Sequence, residues 1–289
     1  MIDSKTKLYC IFGNPVSHSK SPAIHNACFQ LHHMNAVYLA FEINDISEGI
    51  AAMRTLNIKG ASVTIPFKES IMEYLDAIDE DALNIGAVNT VVNTDGKLTG
   101  YNTDYKAAVS PLKPFGIKDK KVCIIGAGGA AQAVAYGIYK EKGKLIIINR
   151  NKERGKKLAL KYEADFIAMD KINKDKINKM DVINADIIIN TTSVGMSPDI
   201  EGSAIPESLL DSRMVVMDIV YNPLKTKLLS QAQSKGCTTI DGLSMFLHQG
   251  AAQFDMWTGI SPDIELMRQT IITAMGGPVI STGFAHKKG

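Results

Sequence analysis

The 289-residue sequence is poor in the features that mark secreted, metal-bound and membrane proteins. It has only four cysteines, Cys10, Cys28, Cys123 and Cys237, and no Cys-x-x-Cys pair. That spacing argues against zinc, and the four read as reduced, mostly core thiols. The six histidines form no ligand set: His32 and His33 are neighbours and diverge on a helix, and His18 and His25 are too far apart for an i, i+4 pair. With no Asp/Glu/His cluster either, no metal is expected. No run approaches the ~20 apolar residues of a membrane span. The opening Met1-Ile-Asp-Ser-Lys-Thr-Lys7 lacks the apolar stretch of a signal peptide. No internal repeat is visible. Neither sign of charge dominates: 32 basic against 30 acidic residues leave a formal +2, no basic field for nucleic acid. What remains is a globular composition, 45% hydrophobic and 21% charged, long enough for two domains. The expectation is a cytoplasmic protein, monomer or homodimer, with a small-molecule partner and neither nucleic acid nor membrane.

The most informative stretch is Gly126-Ala127-Gly128-Gly129-Ala130-Ala131. The apolar run Val122–Ile125 before it reads as a buried strand, and the proline-free stretch Gln132–Glu141 after it as a helix. A glycine-rich turn between strand and helix is the setting of a dinucleotide site. Gly126 allows the tight turn, Gly128 lets backbone approach a pyrophosphate, and Ala131 keeps helix and strand close. The helix N-terminus adds free N–H groups and a positive dipole end. The next apolar strand, Lys144–Ile148, ends in Asn149-Arg150, with Arg154 one turn on, where an NAD site would carry an acid. A carboxylate there repels a 2′-phosphate and a guanidinium binds it, so the implied cofactor is NADP(H).

The pattern is α/β throughout. Leu8–Phe12, Val37–Ile43, Ala61–Ile65 and Ala87–Val92 read as strands, with helical stretches near 22–33 and 47–56 between them. Strands alternating with helices predict a mainly parallel sheet. A second alternating block runs from Lys121 to about Ile240, with later strands at 186–190, 214–218 and 237–240. Residues 170–184 read as an exposed connection, Ser244–Trp257 and Pro262–Met275 as two helices returning to the first domain, and 276–289 as a flexible tail. The predicted division is a substrate-binding domain over 1–106, completed by 241–275, and a Rossmann-type nucleotide domain over 107–240. The cleft between them is where a small molecule would bind.

Several residues carry two local readings. In Ser17-His-Ser-Lys-Ser-Pro22, Ser21 and Pro22 suit a helix cap and first turn, while the clustered hydroxyls suit a carboxylate. Lys68 follows Val63-Thr64-Ile-Pro-Phe just past a strand end, where open α/β sheets bind ligands, yet a solvated surface lysine fits as well. Asp104, after Gly100-Tyr-Asn-Thr, reads as an N-cap or an acid in the cleft, and Gln249 as a lone polar residue on an apolar helix or a site residue.

Taken in order, these pieces resemble the shikimate dehydrogenase family from about Leu8 to Met275. The blocks are Gly13-Asn-Pro with His18-Ser19-Lys-Ser21-Pro22 and His25-Asn26, Val63-Thr64-x-Pro-x-Lys68, Gly86-Ala-Val-Asn89-Thr90, Gly100-x-Asn-Thr-Asp104, Gly126–Ala130, Asn149-Arg150, and Asp241-Gly242 with Gln249. The resemblance implies reversible NADPH-dependent reduction of 3-dehydroshikimate to shikimate, with Lys68 exchanging the proton and Asp104 orienting it. It places the substrate carboxylate on Ser19 and Ser21 and the hydroxyls on Thr64, Asn89, Asp104 and Gln249, with Tyr221 closing over them. It places Thr192, Ile219 and Gly242 near the ribose and nicotinamide, and Glu80 near the cofactor. Two positions depart from the family pattern. Ser62 stands where many members have Asn, its hydroxyl reaching less far, and Asn151 stands where Thr is common, weakening one phosphate contact. A broader quinate/shikimate activity stays open on the Ser62 departure.

Overall fold

The computed structural model describes residues 2–172 and 184–275. The expected tail over 276–289 and most of the expected connection over 170–184 lie outside the described residues.

Two six-stranded sheets are built one after the other. The first holds β1 (Lys7–Gly13), β2 (Ala36–Glu42), β3 (Gly60–Val63), β4 (Ala77–Ile78), β5 (Thr90–Thr94) and β6 (Lys97–Tyr101) in the order β2-β1-β3-β5-β6-β4. β1 pairs parallel with β2 and β3, and β4 pairs parallel with β6. The pairs β3–β5 and β5–β6 are antiparallel. The expected strand at 87–92 sits later, at Thr90–Thr94, and the structure adds a strand at Lys97–Tyr101, before the loop of Asn102 and Thr103. The cause is Asp95-Gly96, with φ of 50° and 92°, which makes the two-residue hairpin turn that such a pair favours.

The second sheet holds β7 (Lys121–Ile125), β8 (Lys144–Asn149), β9 (Asp165–Ala168), β10 (Ile187–Asn190), β11 (Val215–Asp218) and β12 (Thr238–Ile240), ordered β12-β11-β10-β7-β8-β9. Every pair is parallel. This is the doubly wound order, and it reverses between β7 and β10, where such sheets open to a ligand. Alternation explains why both faces are covered: Val122 and Ile124 enter one core, Cys123 and Ile125 the other.

The helices are α1 (Ser21–Leu31), α2 (Ile46–Thr55), α3 (Glu80–Ile85), α4 (Asp104–Val109), α5 (Gly129–Lys140), α6 (Lys152–Lys161), α7 (Met169–Ile172), α8 (Lys227–Ser234), α9 (Gly242–Thr258) and α10 (Ile264–Ala274). Side-chain caps start several of them: Asp45 for α2, Asp79 for α3, Asn151 for α6, Thr226 for α8, Asp241 for α9 and Asp263 for α10. α9 and α10 do return to the first sheet. Leu243, Leu247, Phe254, Met267 and Ile271 share one core with Tyr9 and Ile11 of β1 and with Ile24 and Phe29 of α1. Cys10 and Phe12 point the other way, onto Ile46, Ile50 and Met53.

Gly60 of β3 makes room for this return. A Cβ there would lie 2.3 Å from Trp257 Nε1, the indole nitrogen that donates to Val91 O at 3.0 Å. Gly60→Ala is expected to push Trp257 aside and cost about 1–3 kcal/mol. The chain has one tryptophan, so its emission, followed through denaturant unfolding, checks this directly.

Candidate active site

Lys68 and Asp104 follow the C-terminal ends of β3 and β6, which both run antiparallel to β5 and so end at the same edge of the first sheet. β3 runs out at Val63, and the chain turns so that Lys68 O accepts from Val88 N at 2.8 Å, which fixes the lysine's backbone. Asp104 opens α4 but does not cap it. Thr103 holds the cap position without a side-chain bond, and Asn102 Oδ1 takes the Asp104 N–H at 3.0 Å. The local N-cap reading of Asp104 is thus corrected, and its carboxylate is free for other partners. Oδ2 accepts from Lys68 Nζ at 2.6 Å and Oδ1 from Asn89 Nδ2 at 2.8 Å. The pair is largely shielded, with side-chain exposure of 17% for Lys68 and 6% for Asp104.

The other expected substrate residues have contacts of their own. Thr64 is half-buried at the end of β3, and Thr103 Oγ1 donates to Gln249 O at 3.3 Å, drawing α9 to the site. Gln249 itself donates to Phe246 O at 2.9 Å, and Tyr221 stacks on the Phe246 ring at 4.5 Å. The Tyr221 hydroxyl lies against the backbone of Lys20, so it reaches from the second sheet's loops to the Ser19/Ser21 segment; burial raises its pKa and this bond works against the rise. Ser21 is not the N-cap. It is the first residue of α1, Lys20 takes the cap position, and Ser19 Oγ accepts the Ser21 N–H at 3.3 Å. Ser62 is also reassigned: it is buried, accepting from Tyr38 and donating to Gln253, and so is fully engaged inside the fold.

The glycine turn abuts the lysine. Gly126 has φ +119°, and a Cβ there would strike Thr191 Oγ1 at 2.5 Å, so only glycine fits. Gly128 faces open space, Ala127 precedes it in the turn, and Ala130 lies in the first turn of the helix that follows. α5 begins at Gly129, earlier than its expected start at Gln132, and a Cβ on Gly129 would touch the Lys68 stem at 3.5 Å. Below the turn lies a cavity of about 510 Å³ lined by Gly126, Asn149, Arg150, Thr192, Glu201 and Lys227, among others. Gly242 and Ile219 meet by backbone: a Cβ at Gly242 would sit 2.4 Å from Ile219 O.

Two expected cofactor residues, Arg154 and Glu80, and the departing Asn151 lie outside the lining of that cavity. Arg154 does not line that cavity; its Nη2 pairs with Glu69 Oε1 at 3.3 Å, which also accepts from Gln132. Asn151 caps α6 by accepting the Arg154 N–H at 3.0 Å. Glu80 is exposed at the start of α3, beside Asp81. Asp81 binds Tyr105, Tyr136 and Lys140; burial works to raise its pKa, but these donors outweigh it and hold it at about 2.

Sequence reasoning passed over Asp218. It is buried at the end of β11 and accepts from Asn190 Nδ2, Val220 N and Thr226 Oγ1 at 2.9, 3.0 and 2.7 Å. The clue was an acid ending an apolar strand in Asp218-Ile-Val-Tyr221. Among the described residues no cluster of His, Cys, Asp or Glu is arranged for a metal, and no helix is long and apolar enough to cross a membrane.

A doubly wound sheet with a glycine turn at its switch point, set against a shielded Lys–Asp pair on a second α/β layer, defines a nucleotide-dependent oxidoreductase. Family profiles narrow the class: residues 11–91 match the shikimate dehydrogenase substrate binding domain, 110–244 shikimate / quinate 5-dehydrogenase, and 242–272 the shikimate 5′-dehydrogenase C-terminal domain. The chain belongs to the shikimate dehydrogenase family. A relative from Pyrococcus furiosus named shikimate dehydrogenase (NADP(+)) is 46% identical, over 94% of this chain and 97% of its own. A crystal structure of a shikimate dehydrogenase in complex with NADP+ is 42% identical, with a TM-score of 0.87 over 95% of this chain and 97% of that one. The Thermus thermophilus enzyme in complex with NADP(H) and shikimate is 31% identical, with a TM-score of 0.84 over 93% and 99%.

Asp218 sets a pH dependence. Burial raises its pKa to about 6 from 3.8, against the pull of Thr226, Val220 and Asn190. A raised folded pKa means stability that is present below pH ~4 and lost as pH climbs through about 6, on the order of 2–3 kcal/mol. Thermal unfolding of wild type and Asp218→Asn between these limits checks it: the wild type should lose ground to the variant as pH rises.

Proposed function

We propose that the protein catalyses the reversible NADPH-dependent reduction of 3-dehydroshikimate to shikimate, a step toward aromatic amino acids. The single observation that carries this is the Lys68–Asp104 pair at 2.6 Å with the glycine turn against the lysine stem. It supports a proton donor beside a hydride site.

The residues fit NADP(H). Gly126 is a cradle that a Cβ would fill, Gly128 leaves the backbone open, and Arg150 on the cavity wall suits a 2′-phosphate. When bound, the cofactor supplies the hydride. Lys68 gives its proton to the developing alkoxide and takes it back in the oxidative direction. Asp104 holds Lys68 in place and keeps its donor aimed, while Asn89 fixes the carboxylate. Ser19 and Ser21 receive the substrate carboxylate at the start of α1, and Thr64, Asp104, Asn89 and Gln249 meet the hydroxyls. Tyr221 closes from the other side and excludes water. Thr192, Ile219 and Gly242 border the ribose and nicotinamide; Asn149, Arg150 and Arg154 the adenosine end, with Arg154 leaving Glu69 to reach it; Glu80 stands at the margin.

In this reading residues 1–106 with 241–275 form the substrate-binding unit and 107–240 the nucleotide unit. The enzyme works in the cytoplasm as a monomer or homodimer.

Initial rates with NADP⁺ or NAD⁺, each with shikimate or quinate, test the reading. Rapid turnover is expected only with shikimate and NADP⁺; none with shikimate would sink it. Lys68→Ala should lower kcat by roughly 10²–10⁴-fold with NADP(H) affinity nearly intact. Arg150→Ala should raise the KM for NADP⁺ by roughly tenfold to a hundredfold and leave that for NAD⁺ little changed, since it removes a charged hydrogen bond that only the phosphate makes.

A further inference from the structure

Gln253 lies on α9 one turn beyond Gln249, only 1% exposed and within a protein interior. It belongs to none of the sites assigned above, yet all of its amide is in use. Oε1 accepts from Ser62 Oγ at 2.7 Å, and Nε2 donates to Thr90 Oγ1 at 3.0 Å and to Asn89 O at 3.1 Å. A buried amide with every bond made is costly to disturb and conformationally specific.

The bonds run in one direction. Tyr38 donates to Ser62 at 2.6 Å, Ser62 to Gln253, and Gln253 to Thr90. Thr90 has one hydroxyl proton, and because its oxygen already accepts from Gln253, that proton goes to Asn89 Oδ1 at 2.7 Å. With its oxygen so engaged, Asn89 turns Nδ2 toward Asp104 Oδ1 at 2.8 Å. Reversed, the amide oxygen would face a carboxylate. Lys68 then meets the other oxygen of the same carboxylate at 2.6 Å. Tyr38, Ser62, Gln253, Thr90, Asn89 and Asp104 are all buried, so no water competes along the chain.

We infer that Gln253 is a positioning residue for the reaction, acting through Thr90 and Asn89 on the plane of the Asp104 carboxylate and hence on Lys68. The inference rests on the shikimate dehydrogenase reading. It also gives Ser62 a role: a short hydroxyl is what fits between Tyr38 and the Gln253 carbonyl. Thr103 N donates to the same Asn89 oxygen at 2.9 Å, so loss of Gln253 loosens the amide rather than inverting it. The effect is therefore smaller than removal of Lys68.

The experiment uses the full-length enzyme with shikimate and NADP⁺. Gln253→Met, similar in volume but without the amide, should lower kcat about tenfold or more while the KM for NADP⁺ and NADPH binding by fluorescence stay unchanged. Thr90→Val should reproduce that loss, and Thr90→Ser, which keeps the hydroxyl, should recover kcat to within about threefold of wild type. The Thr90 pair carries the test if Gln253→Met does not fold. A Gln253→Met enzyme with wild-type kcat, or a Thr90→Ser enzyme as slow as Thr90→Val, overturns the inference with the functional reading intact. A wild type that does not turn over shikimate removes both.

Discussion

The buried carboxylate of Asp104 is the constraint around which the site is arranged. A lone ionised group out of water is costly, and the cost is met only by donors placed on both oxygens. Lys68 supplies one and Asn89 the other, and each must itself be held. The Lys68 carbonyl accepts from Val88, Asn102 takes the Asp104 N–H, and Gln253 of α9 donates to the Asn89 carbonyl. An exposed pair at this place would be worth little and would wander. A shielded one fixes a lysine ammonium on one line.

Much of this was legible in the sequence because it depends on local chemistry. The second sheet follows from apolar, β-branched runs spaced by helical stretches, and the glycine turn from Gly126 and Gly128 between strand and helix. Lys68, Asp104 and Gln249 each carry two readings in the sequence, and only their order along the chain resembles the family. The β5–β6 hairpin is absent from the sequence reading, which has only a strand over 87–92, although Asp95-Gly96 is a strong turn signal. Ser21 was read as a cap because serine before proline fits one, whereas the hydroxyl that takes the N–H is that of Ser19. Gln253 is illegible for a physical reason: its partners lie far along the chain, and no local pattern announces a hydrogen bond between Gln253 and Thr90. Asp218 is different, since Val220 and Thr226 are near it in sequence and only Asn190 is distant.

The two sheets are joined by polar contacts as well as by α9. Asp81 gathers Tyr105, Tyr136 and Lys140 between α3, α4 and α5, Lys161 donates to Ile85 O at 2.9 Å, and Glu69 meets Gln132 and Arg154. Glu69 directly follows Lys68, so one short segment touches Asp104 and both α5 and α6. These ion pairs are partly exposed and screened, and beside them Ile85 of α3 and Ala107 and Ala108 of α4 share one buried apolar core with Ala131, Val134 and Ile138 of α5.

Gly129 links the two halves of the chemistry in its own way. An alanine there would rest on the Lys68 stem at ordinary contact, and anything longer would land on it. On the proposed reading, the turn that would receive phosphate and the side chain that would move a proton thus share a single wall. A substitution at the first residue of α5 therefore reaches Lys68 as well, whereas Asn149 and Arg150 line the cavity at the C-terminal end of β8.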